Sequence, residues 1–297
     1  SNRYLLYGII EADITDSTML TFGANVMRQD QAGFFRGLPR YANGDDLGLP
    51  RSFSLNRPED HWLLNNNTTF VRLDQELAPN WTLGVEASRS INKISRRDLT
   101  WQGGINPITG MGMTGYDWEH DYYAPQEALD AVLKGSFQLL GREHKLTLGA
   151  NINRQDIHSF NQKNMSMWGG SMRTSIFDYN PGDYPAGPYI PHADSNYKIV
   201  QKGLYGSFVA QVADPLKLIL GGRLSWYKYN DVVKGFDQNT GAVSSTSLTA
   251  YEDNKIFTPY LGIVYDLTSQ WSAYASFAET YQPQAFNLRG PLPGTPL

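Results

Sequence analysis

Apolar and polar residues alternate along much of this chain with a period of two, the signature of β-strands that keep one oily face and one wet face. The pattern is clearest from Lys145 to Gln155. There Leu146, Leu148, Ala150 and Ile152 fall on one face, and Lys145, Thr147, Gly149, Asn151 and Asn153 on the other. Residues 204 to 212 set Leu204, Gly206, Phe208, Ala210 and Val212 against Tyr205, Ser207 and Gln211. Residues 216 to 228 set Leu218, Leu220, Leu224 and Trp226 against Lys217, Arg223 and Ser225. With weaker repeats elsewhere, ten strands are expected, at about 4–14, 18–30, 66–77, 81–95, 127–140, 145–155, 204–212, 216–228, 255–267 and 271–281.

Their connections alternate in length. Short turns are expected at Thr15-Asp16-Ser17, Ala78-Pro79-Asn80, Gly141 to His144, Asp214-Pro215 and Thr268-Ser269-Gln270. Long Gly/Pro- and aromatic-rich loops are expected at about 31–65, 96–126, 156–198 and 229–254. Outer-membrane barrels have this asymmetry, with periplasmic turns at one rim and extracellular loops at the other. The strands also reach the roughly 9 to 11 tilted residues that a crossing of the hydrocarbon needs.

Composition supports a barrel. No run of about 18 apolar residues is present, which excludes a transmembrane helix, and mean hydropathy is negative. A barrel hides its membrane signal, because only alternate residues meet lipid. Charged residues make up only 18%, while 18 Tyr, 13 Phe and 7 Trp are in excess. Trp81, Trp271, Phe70 and Tyr265 lie near the short turns, as expected for an interfacial girdle.

Several functions find no support. A net charge of -4 gives no basic stripe for nucleic acid. The absence of cysteine removes disulfides, thiolate metal sites and a cysteine nucleophile. The five histidines lack zinc-ligand spacing, Asp45-Asp46 and residues 178–183 lack the spacing of a calcium loop, and no nucleophile elbow or phosphate loop occurs. No catalytic residue, metal site or resident cofactor is assigned, and an enzyme is not expected.

Specific segments then resemble a family. Gly141-Arg142-Glu143-His144-Lys145-Leu146-Thr147-Leu148-Gly149 is similar to a hairpin of TonB-dependent siderophore receptors, particularly the ferric-coprogen and ferric-pyoverdine type. Thr258 to Leu267 (TPYLGIVYDL), Trp271 to Phe277 (WSAYASF) and Tyr281-Gln282-Pro283-Gln284 resemble a further segment of that family. Leu292-Pro293-Gly294, and the early Gly37-Leu38-Pro39 and Leu49-Pro50-Arg51-Ser52, extend the resemblance over nearly the whole chain.

The resemblance implies an antiparallel transmembrane barrel of about 22 strands enclosing an N-terminal plug, with a short box that binds TonB. On this reading residues 1–297 are part of one all-β, up-and-down barrel domain. The plug, the TonB box and the C-terminal strands lie outside it, since Gly290 to Leu297 is turn chemistry and an open edge is not tolerated in lipid. The implied function is ferric-siderophore uptake across the bacterial outer membrane, energised by TonB, amid outer-membrane lipid and lipopolysaccharide. Hydroxamate or pyoverdine-like chelates are the implied ligands, and a passive porin-like channel is the alternative.

In such a chelate the small molecule already coordinates the iron. A receptor therefore needs stacking surfaces and hydrogen-bond donors, not metal ligands. The candidates are Trp101, Tyr116 and Trp118 in the second long loop, and Trp168 with Arg173 in the third, Arg173 as a donor to hydroxamate or carboxylate oxygens. For any single one of these, girdle placement or packing within the loops is the competing role.

Overall fold

The computed structural model describes residues 2–33, 37 and 39–284. Its strands are β1 (Asn2–Thr15), β2 (Thr18–Gln31), β3 (His61–Ala78), β4 (Trp81–Gln102), β5 (Thr114–Leu139), β6 (Arg142–Asn164), the two-residue β7 (Gly170–Ser171), β8 (Tyr189–Ala213), β9 (Leu216–Phe236), β10 (Val243–Asp266) and β11 (Ser272–Ala278). Short 3-10 turns occupy Ile176–Asp178 and Pro181–Asp183. The ten long strands pair antiparallel in chain order, an up-and-down sheet, and β7 pairs with β5 off this path. Among the described residues the sheet is not closed, since β1 pairs only with β2 and β11 only with β10.

The expected strands are all present, but on the long-loop side they run further than alternation indicated. β5 begins at Thr114, β8 begins at Tyr189, and β9 and β10 continue to Phe236 and from Val243. Segments read as loops at 96–126, 156–198 and 229–254 are therefore largely paired hairpin arms. Above the hydrocarbon both faces of a strand meet polar surroundings, so the oily/wet contrast fades while backbone pairing persists. The β4–β5 ladder shows this, keeping one register from Trp81↔Gly135 to Gln102↔Thr114. The expected turn at Gly290 to Leu297 lies outside the described residues.

Register assigns the faces. Ala150 pairs with Ala131 and with Leu204, Leu148 with Leu133, and Leu204 with Leu224, so these rows share the apolar face. Leu204 is 53% exposed, and Leu129, Leu148 and Leu220 are also exposed. Such residues lack protein cover because hydrocarbon is their surroundings. Near the short turns that face becomes aromatic: Phe137, His144 and Phe208 cluster with near-parallel rings, and Tyr265 and Trp271 are exposed.

The opposite, lumen-side face is polar and bonded. Tyr205 Oη donates to Asp130 at 3.1 Å, Arg223 Nη2 donates to Asn151 at 2.9 Å, and Arg72 pairs with Asp74 at 2.7 Å. Phe70, expected in the girdle, stands on this face. Its register partner Gly23 leaves the space the ring fills, since a Cβ on Gly23 would lie 2.2 Å from Phe70 Cε1. An aromatic ring over a cross-strand glycine recurs at Gly149 under Tyr205 and Gly221 under Tyr260. Gly149→Val places atoms 2.1 Å from Tyr205 Cζ and forces the phenol off Asp130. The expected loss is about 1–3 kcal/mol, read as a lower urea midpoint for unfolding of the detergent-solubilised barrel.

Candidate functional site

The β4–β5 hairpin projects above the band that lipid covers, and its two faces carry different chemistry. The face continuous with the apolar side holds a small core made with residues 39–60 and 165–188, in which Leu99 and Trp101 pack with Leu55, Ile105, Met167, Met172, Ile176 and Tyr184. Trp101, a candidate from sequence, is 7% exposed, meets Tyr184 edge-on at 5.0 Å, and donates through Nε1 to Tyr179 Oη at 3.3 Å. Burial pushes the Tyr179 phenol up to about 12. Arg173 packs in the same loop: its guanidinium lies over Tyr184 and donates to the Asp183 carbonyl at 3.1 Å. The structure thus places Trp101 inside the loop core and lays Arg173, itself exposed, against Tyr184 at its edge.

A buried clasp ties this core to the hairpin. Arg57 forks onto both oxygens of Asp117, at 2.8 and 2.6 Å, and also donates to Asp60 at 2.7 Å. Asn164 Nδ2 and Tyr189 Oη complete Asp117, each at 2.9 Å. Burial works against the Arg57 charge, but the hydrogen bonds to Asp117 and Asp60 outweigh it and hold the guanidinium above its usual range. Burial raises Asp60 in spite of that pairing.

The lumen-side face gathers the remaining candidates. Trp118 meets Trp168 edge-on at 4.5 Å, and Tyr116 meets it at 5.3 Å. Two residues that sequence did not single out join them. Lys163, cross-strand from Trp118 and only 7% exposed, holds its ammonium 4.7 Å from the Trp168 ring centroid, and His192 lies 5.6 Å from the same ring. A cation held over an indole is an attractive contact that burial strengthens. The Trp118 indole Nε1 and His192 Nδ1 are buried and have no hydrogen-bond partner. A buried indole N–H ordinarily finds one.

Local sequence explains why Trp168 arrives here. Asn164 accepts from Ser166 N at 3.0 Å and ends β6 in a tight turn. Gly169 takes a positive φ and donates to the Gly115 carbonyl at 2.9 Å, which lets β7 add to the tip of β5. Alternation then sends Met167 into the loop core and Trp168 to the opposite face. Below this cluster the inner wall is phenolic: Tyr227, Tyr229, Tyr197, Tyr122 and Tyr251 pack around Ile157 and Ile199. His120 Nε2 bonds Ser159 Oγ at 3.0 Å between the two levels.

Burial, and secondarily the Lys163 charge, hold His192 below the ordinary histidine value, so its imidazole is neutral at pH 7. Because the folded value is depressed, stability from this site is present above about pH 6.5 and is lost as pH falls through the folded value. Tryptophan fluorescence of the complete protein should show a phase with a midpoint below 6.5. His192→Asn should remove that phase and Lys163→Gln should raise its midpoint; a wild-type midpoint at or above 6.5 would contradict the assignment.

The family described as TonB dependent receptor-like, beta-barrel matches residues 7–296. The ferric-pyoverdine M114 receptor PbuA of Pseudomonas sp. strain M114 is 29% identical over 94% of this chain and 34% of its own length. The ferripyoverdine receptor of Pseudomonas aeruginosa is 28% identical over 94% of this chain and 32% of its own. This chain therefore spans about a third of the length of these curated relatives. The crystal structure of the outer-membrane ferripyoverdine receptor of Pseudomonas aeruginosa bound to ferripyoverdine superposes with a TM-score of 0.78 at 26% identity, over 95% of this chain and 36% of that one. Fold, register and these likenesses agree: the chain belongs to the TonB-dependent receptor-like β-barrel family, and its strands are those of a barrel in the bacterial outer membrane.

Proposed function

We propose that this chain forms part of the wall and extracellular mouth of a receptor that binds a ferric siderophore, of hydroxamate or pyoverdine-like type, for TonB-energised uptake. The observation that carries the reading is the lumen-side cluster, in which Trp118, Trp168 and Tyr116 offer stacking faces beside the buried Lys163 ammonium and two unmet ring nitrogens. A bulky chelate with anionic oxygens meets such a surface by stacking and charge-assisted hydrogen bonds, and its iron needs no protein ligand. The role is transport and not catalysis. TonB energises the uptake, and outer-membrane lipid and lipopolysaccharide surround the apolar face.

The test is a titration of the complete, detergent-solubilised receptor with a panel of ferric siderophores, following tryptophan fluorescence, together with uptake by cells with and without TonB. Saturable quenching by one chelate and TonB-dependent uptake are expected. Uptake that persists without TonB would favour a passive channel.

A further inference from the structure

Lys163 is a buried cation without a carboxylate to balance it. The residue is 7% exposed, and among the described residues no carboxylate lies within ion-pair distance of its ammonium. Strand register explains why. The lumen-side row across β4, β5 and β6 reads Asp98, Trp118, Lys163, so an indole stands between the carboxylate and the ammonium. Asp98 is also held already, by Arg96 and by the Thr100 hydroxyl at 2.7 Å. Burial lowers the Lys163 ammonium below its usual range, as it does for a cation with no counter-charge.

Two donors beside this lysine have no protein partner either: Trp118 Nε1 and His192 Nδ1, the latter a donor in the tautomer protonated there. A bulge brings His192 to this place. Asn161 pairs with Ala193 but Gln162 pairs with Pro191, so His192 is the extra residue of β8, and a bulge re-aims such a side chain. The rings of Trp118 and His192 lie 4.5 and 5.6 Å from that of Trp168, and the Lys163 ammonium lies 4.7 Å from it, so one indole gathers all three groups. Trp118, Trp168 and His192 are each partly exposed, which opens the cluster to a ligand.

An ammonium with two ring N–H groups, set among flat aromatic faces, has the composition of a carboxylate seat. The oxygens that bind iron in a chelate are spent on the metal, so the group that suits this seat is an acid arm that stays off the iron. We infer that Lys163, Trp118 and His192 hold a free carboxylate arm of the chelate, and that Lys163 thereby selects acid-bearing siderophores over those whose arm is an amide. The carboxylate accepts from all three donors; an amide brings no charge and turns its own NH2 toward the ammonium or a ring N–H. This inference deepens the siderophore reading and rests on it.

The test titrates the complete, detergent-solubilised receptor with a ferric pyoverdine-type chelate bearing a free side-chain carboxylate and with its primary amide, following tryptophan fluorescence. Wild type is expected to bind the acid about tenfold or more tightly than the amide, the scale of a hydrogen bond to a charged group. Lys163→Met should bring the acid-to-amide ratio close to one, and Lys163→Arg, which keeps the charge, should retain most of the preference. Heat-modifiable migration on gels verifies that each variant is folded. Equal affinities in wild type, or a preference that Lys163→Met leaves intact, would overturn the inference. Quenching of wild type by acetate alone, lost in Lys163→Met, would make the seat one for free small carboxylates and would also overturn it. Equal quenching by acid and amide leaves the siderophore reading standing, whereas quenching by neither removes that reading and this inference together.

Discussion

Arg57→Ala should release residues 39–60 from the hairpin they cover. Among the described residues Arg57 is the only cation that Asp60 and Asp117 bond, and its loss strands two carboxylates in a buried site where the pair's own desolvation has already been offset. Breaking a buried pair by removing one partner costs about 3–5 kcal/mol, here expressed locally, because the barrel strands below keep their ladders. Hydrogen exchange on the complete receptor should show lost protection at Ala42 and Ile105, whose amides donate to the Ile105 and Arg40 carbonyls and join the first loop to the β4–β5 tip. Asp117→Asn keeps the shape and should lose less. Arg154→Ala removes a pair that is about half exposed and should change protection within about 0.5 kcal/mol. If Arg57→Ala leaves the loop fully protected, the clasp is not what holds it.

Trp168→Ala should have the largest effect on ligand. Its ring contacts Trp118, Tyr116, Lys163 and His192 at once, so truncation removes a stacking face and the ring beneath the ammonium together. An aromatic anchor of this kind is worth about 2 kcal/mol or more, a fall in chelate affinity of roughly 30-fold, read from the quenching titration. Trp168→Phe should recover part of it, since a ring remains for the cation. Trp101→Ala is the contrasting variant. It should empty part of the loop core and lower hydrogen-exchange protection there by about 3 kcal/mol or more, with any change in affinity following that loosening. Trp168→Ala with unchanged affinity would remove the lumen-side cluster from the binding surface.

The difference between those two tryptophans could not be read from the chain. Both lie in aromatic-rich segments that lose clear alternation, and both satisfy the composition of a binding loop. Trp101 continues the odd-numbered row of β4 that includes Leu83, so its face was in principle legible; that residues 39–60 fold across that face was not. Lys163 gave even less warning. It becomes a neighbour of Trp118 only through the β5–β6 register, and of Trp168 only because the chain turns back after Asn164. Phe70 shows a related failure: nearness to a short turn suggested a girdle, but the space over Gly23 on the other face received the ring.

By itself the sequence determined the strands, the rim with short turns and the oily face of those strands that alternate clearly. All of these are set by local alternation and turn chemistry, which act between residues close together in the chain. Only the tertiary structure decided how far the hairpins project, which loop covers which face, and which aromatics, cations and unmet donors meet at the mouth. Those depend on cross-strand register and on contacts such as Arg57 with Asp117, 60 residues apart, where side chains are brought together by the fold and leave no periodic mark.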